Sequence, residues 1–144
     1  MLTIRSGRHP HEIVLLAFTL LSGLTGFFGY SQAASNAILL LLPRAYGQAF
    51  YLGLAASAAI ALAGICWRGI VGPLVERAGL LINTGLYLFF ALAIFTVGGV
   101  RGVGFGFTLI AFSVANVVRV LQIRRDLRAI RAAAMVTDST DQLE

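Results

Sequence analysis

Residues 78–121 read AGLLINTGLYLFFALAIFTVGGVRGVGFGFTLIAFSVANVVRVL, and the reading of this stretch decides the fold. It holds two apolar runs of about 20 residues, 78–98 and 102–121. Each reaches roughly 30 Å as a helix, the thickness of a bilayer's hydrocarbon core. Between them stand only Gly98-Gly99-Val100-Arg101, a connection so short that the two runs must fold back as an antiparallel hairpin.

Upstream, Gly69, Gly72 and Pro73 interrupt RGIVGPLVER at residues 68–77. Pro73 suits the first position of a helix and Glu76 its first turn, where a carboxylate meets the positive end of the helix dipole. A further span covers about 50–67, opened by Phe50 and Tyr51 and closed by Trp67 and Arg68, all residues that favour the lipid–water interface. The first span covers about 13–30. The rival reading of that stretch is a cleavable signal peptide, with Ser31 and Ala33 as the small pair before the cut. Between spans one and two, Ala37–Leu42 is too short to cross and ends at Pro43. It reads either as an interfacial or re-entrant segment or as a continuation of the first helix.

The expected architecture is therefore an all-α membrane protein of four transmembrane helices in two antiparallel hairpins. Residues 1–12 form a polar N-terminus, 13–121 the membrane domain, and 122–144 a basic amphipathic helix with a disordered acidic end. Composition agrees: 144 residues, 58% hydrophobic and 12% charged, with mean hydropathy +0.87, leave too little polar surface to cover a water-soluble globule. All eleven basic residues are Arg, a bias typical of GC-rich coding. Nine of them, Arg5, Arg8, Arg68, Arg77, Arg119, Arg124, Arg125, Arg128 and Arg131, fall on one side of the expected topology, and Arg44 and Arg101 on the other. The positive-inside rule then puts both termini in the cytoplasm.

Chemistry-bearing patterns are sparse. Glu12, Glu76, Arg77 and Arg119 all stand at span edges, which disfavours proton relays and coupled transport. Asn83 and Asn116 are the strongest intramembrane polar residues; at similar depth on spans three and four, with Thr84 and Ser113 nearby, they are expected to bond across the hairpin. Two stripes of small residues, Thr19, Ser22, Gly26 and Gly29 in span one and Gly53, Ser57, Ala61 and Gly64 in span two, are faces for close helix packing, within the chain or between copies. Along the tail, Arg124, Arg125, Arg128 and Arg131 flank the apolar stripe Ile123, Leu127, Ile130 and Ala134. That helix is expected to lie on the anionic inner leaflet or to dock a protein partner. Nucleic acid is not an expected partner.

The pair His9 and His11 with Glu12 is too small a donor set for a metal, and Gly102-Val103-Gly104-Phe105-Gly106 lacks the strand and lysine of a phosphate loop. Cys66 stands alone, so no intrachain disulfide forms. No cofactor is expected and no enzymatic activity.

The runs RHPHEIVLL (8–16), WRGIVGPLVERAGLLI (67–82) and VRVLQIRRDLR (118–128) resemble small four-span membrane proteins of actinobacterial phages, over about Arg8 to Arg128. The resemblance implies a phage-encoded membrane protein, in some cases a holin that self-associates and permeabilises the membrane. The long first connection and the four spans depart from holins with one to three spans. A non-lytic accessory protein working through its Arg-rich tail is the alternative.

Overall fold

The computed structural model of the chain describes residues 10–30, 35–67, 69 and 71–141, side chains of 36 and 131–141 excepted. The described residues are helical apart from short connections: α1 (Pro10–Phe28), α2 (Asn36–Leu41), α3 (Arg44–Cys66) and a helical run Val71–Asp141. That run is broken at Gly99, whose φ of 49° and ψ of −138° are open to glycine and strained for any residue with a Cβ. The break divides it into α4 (residues 71–98) and α5 (residues 100–141). Gly69, in the connection before α4, also holds a positive φ of 95°.

The helices alternate in direction. Gly23 of α1 lies against Tyr51 and Ala55 of α3, and Gly79 of α4 lies against Ser57 and Ala61 of α3, so α3 runs antiparallel to both. Past Gly99, α5 returns along α4: Phe90 meets Phe105 at 6.1 Å and Tyr87 meets Phe112 at 6.1 Å between ring centres. Two ends result. One carries Glu12, Trp67, Glu76 and Arg119; the other carries Tyr30, α2 and Gly99. Among the described residues, Arg77, Arg119, Arg124, Arg125 and Arg128 stand at the first, basic end, and Arg44 and Arg101 at the second.

Three helical stretches are long and apolar enough to cross a bilayer: Pro10–Phe28, Arg44–Cys66 and Val71–Ile130. The last, at 60 residues, is roughly 90 Å of helix, about three times a bilayer core. Gly99 divides it into two parts of roughly 42 and 46 Å, each longer than one core thickness.

The distribution of side chains is the reverse of a water-soluble bundle. Ser57, Asn83, Glu76, Ser113 and Asn116 are buried, while Phe18, Phe28, Leu92, Phe105 and Phe107 are exposed. Such a large apolar exterior is costly in water and costs nothing in lipid. Inside, the half near Gly99 is aromatic: Phe50 touches Tyr51, Phe89 and Phe90 at 5.4–5.6 Å, contacts of about 0.5–1.5 kcal/mol each beyond their burial. The half near the basic end is aliphatic, built on Leu16, Ala58, Ala61, Ile65, Leu80, Val120, Ile123 and Leu127.

Four expectations are sharpened or changed. First, 31–49 holds the separate helix α2 and not an extension of α1: the Ser35 side chain caps its start, Ile38 is fully buried beneath it, and the Tyr51 hydroxyl accepts from the Ser35 amide at 2.7 Å. Second, α3 begins six residues before the expected Phe50, because Pro43 supplies its N-cap position instead of only ending what precedes. Third, the helix of the tail runs on through Asp141 where an irregular end was expected from residue 137, since the Arg-, Ala- and Leu-rich run before it propagates helix one hydrogen bond per residue. Fourth, Ile123 and Leu127 are buried in the bundle. The start of the tail thus continues α5 with this part of its stripe turned toward the bundle. The small pair Ser31 and Ala33, where signal cleavage would fall, lies outside the described residues, and α1 is a packed member of the bundle.

The helix seams make a direct prediction. A Cβ at Gly79 would stand 2.5 Å from the Ala61 amide nitrogen, so Gly79→Ala is expected to cost about 1–3 kcal/mol. Gly85 has open space around it, and Gly85→Ala is expected to gain about 0.5–1 kcal/mol by lowering unfolded-state entropy. Unfolding of the two variants in mild detergent should move in opposite directions; equal shifts would contradict the packing described.

Candidate functional site

The interior of the bundle is polar along one line that starts at the basic end. Three helices place a charge there: α1 brings Glu12, α4 brings Glu76 and α5 brings Arg119. The Arg119 Nε donates to Glu76 Oε1 at 2.9 Å and stands 3.3 Å from Glu12 Oε1. Their side chains are only 5–14% exposed. Along the sequence these residues sit at span edges, as expected. In the fold the three come together as one enclosed ionic cluster, Arg119 facing both carboxylates.

Farther inside, Asn116 lies one turn before Arg119 on α5 and Asn83 two turns after Glu76 on α4. Ser57 of α3 donates to Asn83 Oδ1 at 3.5 Å, a long contact, and to its own helix at Leu54 O at 3.0 Å. Thr84 donates to Leu80 O at 2.8 Å, and Ser113 to Leu109 O at 3.0 Å while reaching Thr84 O at 3.5 Å. The Thr19 hydroxyl of α1 shares a hydrogen bond with the Tyr87 hydroxyl of α4. The expected contact across the hairpin is thus made by Ser113 and Thr84. The Nδ2 groups of Asn83 and Asn116 are both buried without a partner and do not bond to each other. Asn83 turns its acceptor toward Ser57 on α3. Each unpaired donor costs about 1–3 kcal/mol.

The small-residue faces are used inside the chain. Ser57, Ala61 and Gly64 are buried against α4, where Gly64 faces the backbone of Gly72 and Glu76. Gly53 is half-buried, 3.4 Å from Leu86 at its Cβ position. In α1 the packed face is Leu16, Thr19, Gly23 and Gly26. Of the expected stripe, Thr19 and Gly26 lie on this face, Ser22 is exposed and Gly29 half-buried; Gly23 was not part of it. The α1 face follows a mixed three- and four-residue spacing from Leu16, and Leu16 at its start is too large to mark a small-residue pattern.

Of the arginines expected to meet lipid or a partner, Arg124, Arg125 and Arg128 are exposed on α5 at the basic end. The Arg131 side chain lies outside the described residues. Among the described residues no three His, Cys, Asp or Glu stand together as metal ligands.

The ionic cluster was not read from the sequence, yet a signal for it exists. Glu76, Asn83 and Tyr87 follow at seven and four, and Asn116 and Arg119 at three, spacings that put each set on one helix face. Comparison with protein-family models finds no match, and comparisons with curated proteins and with solved structures find none either. The likeness to phage membrane proteins accordingly rests on the sequence runs alone.

Removing Arg119 takes away the guanidinium that Glu76 and Glu12 face in the interior. Arg119→Leu is expected to destabilise by about 3–5 kcal/mol, and combining it with Glu12→Leu and Glu76→Leu to recover most of that loss, because a matched apolar set needs no countercharge. Detergent unfolding of the single and triple variants checks this. A triple variant as unstable as the single one would contradict an ion-cluster role.

Proposed function

We propose that this chain is a four-span protein of a bacterial cytoplasmic membrane, both termini cytoplasmic, acting by contact and not by catalysis, with the arginine-rich end as its working surface. The spans are α1, α3, α4 and the part of α5 up to about residue 121. One observation carries this reading: the described arginines divide five to two between the ends of the bundle, and the larger set lies where α5 extends beyond its neighbours. Exposed Trp67 at that end and exposed Tyr46 at the other are suited to the two interfaces.

The test spares the packed residues of α5. Arg124, Arg125 and Arg128 are replaced together by Gln, leaving Ile123 and Leu127 in place. A protein partner recovered in fixed ratio with the native chain from solubilised membranes is expected to be lost with this variant. Recovery undiminished would remove the basic end from the interaction.

Self-association of the holin type is the second reading. It is favoured by Gly104, Thr108, Ala111 and Ala115, which line the exterior of α5 at spacings of four, three and four and are all exposed; nothing lies within 4 Å of a Cβ at Gly104. With the α1 and α3 faces occupied internally, this outer face is the place for copies to meet. Induced expression would then collapse the membrane potential, and Gly104→Leu would prevent it. A membrane potential left intact at high abundance of the protein would dispose of this reading.

A further inference from the structure

A second concave feature lies outside the ionic cluster, between α4 and α5 at the basic end. Leu74 and Arg77 of α4 and Arg124, Leu127 and Arg128 of α5 line a pocket of about 330 Å³. On α4 the two residues are one turn apart; on α5 the three fall at intervals of three and one, again a single helix face. The pocket therefore gathers three guanidinium groups from two helices over two leucines, and among the described residues no carboxylate lines it. Arg125, adjacent in sequence to Arg124, is not part of it.

We infer that Arg77, Arg124 and Arg128 form a binding site for the phosphate headgroup of an anionic phospholipid. The inference rests on the membrane reading above and adds a ligand to it. Three features select this ligand class. Guanidinium forks pair with phosphate oxygens in bidentate fashion, which a single ammonium cannot do. A pocket near 300 Å³ is at the small end of ligand sites, suited to a headgroup and too small for a folded partner. Its leucine wall continues onto exposed Leu74, so the site opens toward the apolar flank of the bundle, where the glycerol and acyl part of a lipid would lie. Basic pockets between spanning helices at the cytoplasmic face are physically suited to such headgroups.

The test uses the full chain reconstituted into phosphatidylcholine vesicles containing a minor fraction of phosphatidylglycerol, with lipid retained by the protein counted by native mass spectrometry. Phosphatidylglycerol is expected to be enriched over phosphatidylcholine. Arg77→Gln, Arg124→Gln and Arg128→Gln should each reduce that enrichment about tenfold, the loss of one charge-assisted hydrogen-bonding group, while Arg125→Gln changes it by a smaller factor. Arg77→Lys, which keeps charge and helix, should fall between Arg77 and Arg77→Gln. Loss with Arg125→Gln equal to that with Arg124→Gln would overturn the site in favour of diffuse attraction. Displacement of the lipid by millimolar inorganic phosphate would overturn it in favour of a free-anion site. Failure of the chain to reconstitute at all would instead count against the membrane reading on which the site depends.

Discussion

In a membrane the hydrophobic effect does not press helices together, so their association depends on how closely the backbones can approach. For this protein that constraint falls on α3. It lies between α1 and α4, and on both sides the contact is backbone against backbone: Gly23 meets Tyr51 and Ala55 on one seam, and Gly79 and Gly64 meet α3 and α4 on the other. A single added methyl at these positions enters the neighbouring main chain. The seam between α4 and α5 is eased in the same way by Gly102 against Ile94 and Gly106 against Phe95. The remaining contact, of α1 with the hairpin of α4 and α5, is bridged by long side chains, Glu12 to Arg119 and Thr19 to Tyr87.

That difference bears on where the charges meet. The close seam between α3 and α4 carries the uncharged pair Ser57 and Asn83, while Glu12 and Arg119 meet where the backbones of α1 and α5 are apart. Where they stand apart, the gap must be filled, and in a lipid-facing bundle polar groups gain most by turning inward. The ionic cluster closes this wider side at the basic end, while Tyr30, Phe50, Tyr51 and their ring contacts close the end near Gly99. A buried ion pair is weak as a source of net stability, but it resists shear: sliding α1 by one turn would separate Glu12 from Arg119.

The existence of the helices and the reversal at Gly99 were legible in the sequence, because apolar run length and a four-residue connection leave few alternatives. Asn83 and Asn116, read as polar residues within the spans, lie inside the bundle, Asn83 fully buried and Asn116 nearly so. Their partners were not legible. Whether Asn83 turns to Asn116 or to Ser57 is decided by the distance between three helices, which no single helix encodes. Glu12, Glu76 and Arg119 were each read as edge residues, and that remains true along the chain. Their burial together arises only when the starts of α1 and α4 meet the middle of α5. The tail shows the opposite limit: its amphipathic stripe was visible, but the stripe alone did not distinguish a leaflet from the neighbouring helices as the surface that covers Ile123 and Leu127.

The functional account joins these parts. A bundle packed through its own small residues presents an apolar exterior to lipid and gathers its exposed positive charge at one end, beside a pocket lined by three arginines. What this account requires above all is that α4 and α5 be separate crossings, with Gly99 on the opposite side of the membrane from the basic end. The exposed, solitary Cys66 reports on the basic end, and Arg101→Cys in a Cys66→Ser background reports on the turn. With a membrane-impermeant maleimide, Cys66 should react only in inside-out vesicles and position 101 only in intact cells. Labelling of both positions from the same side would contradict the four-crossing arrangement.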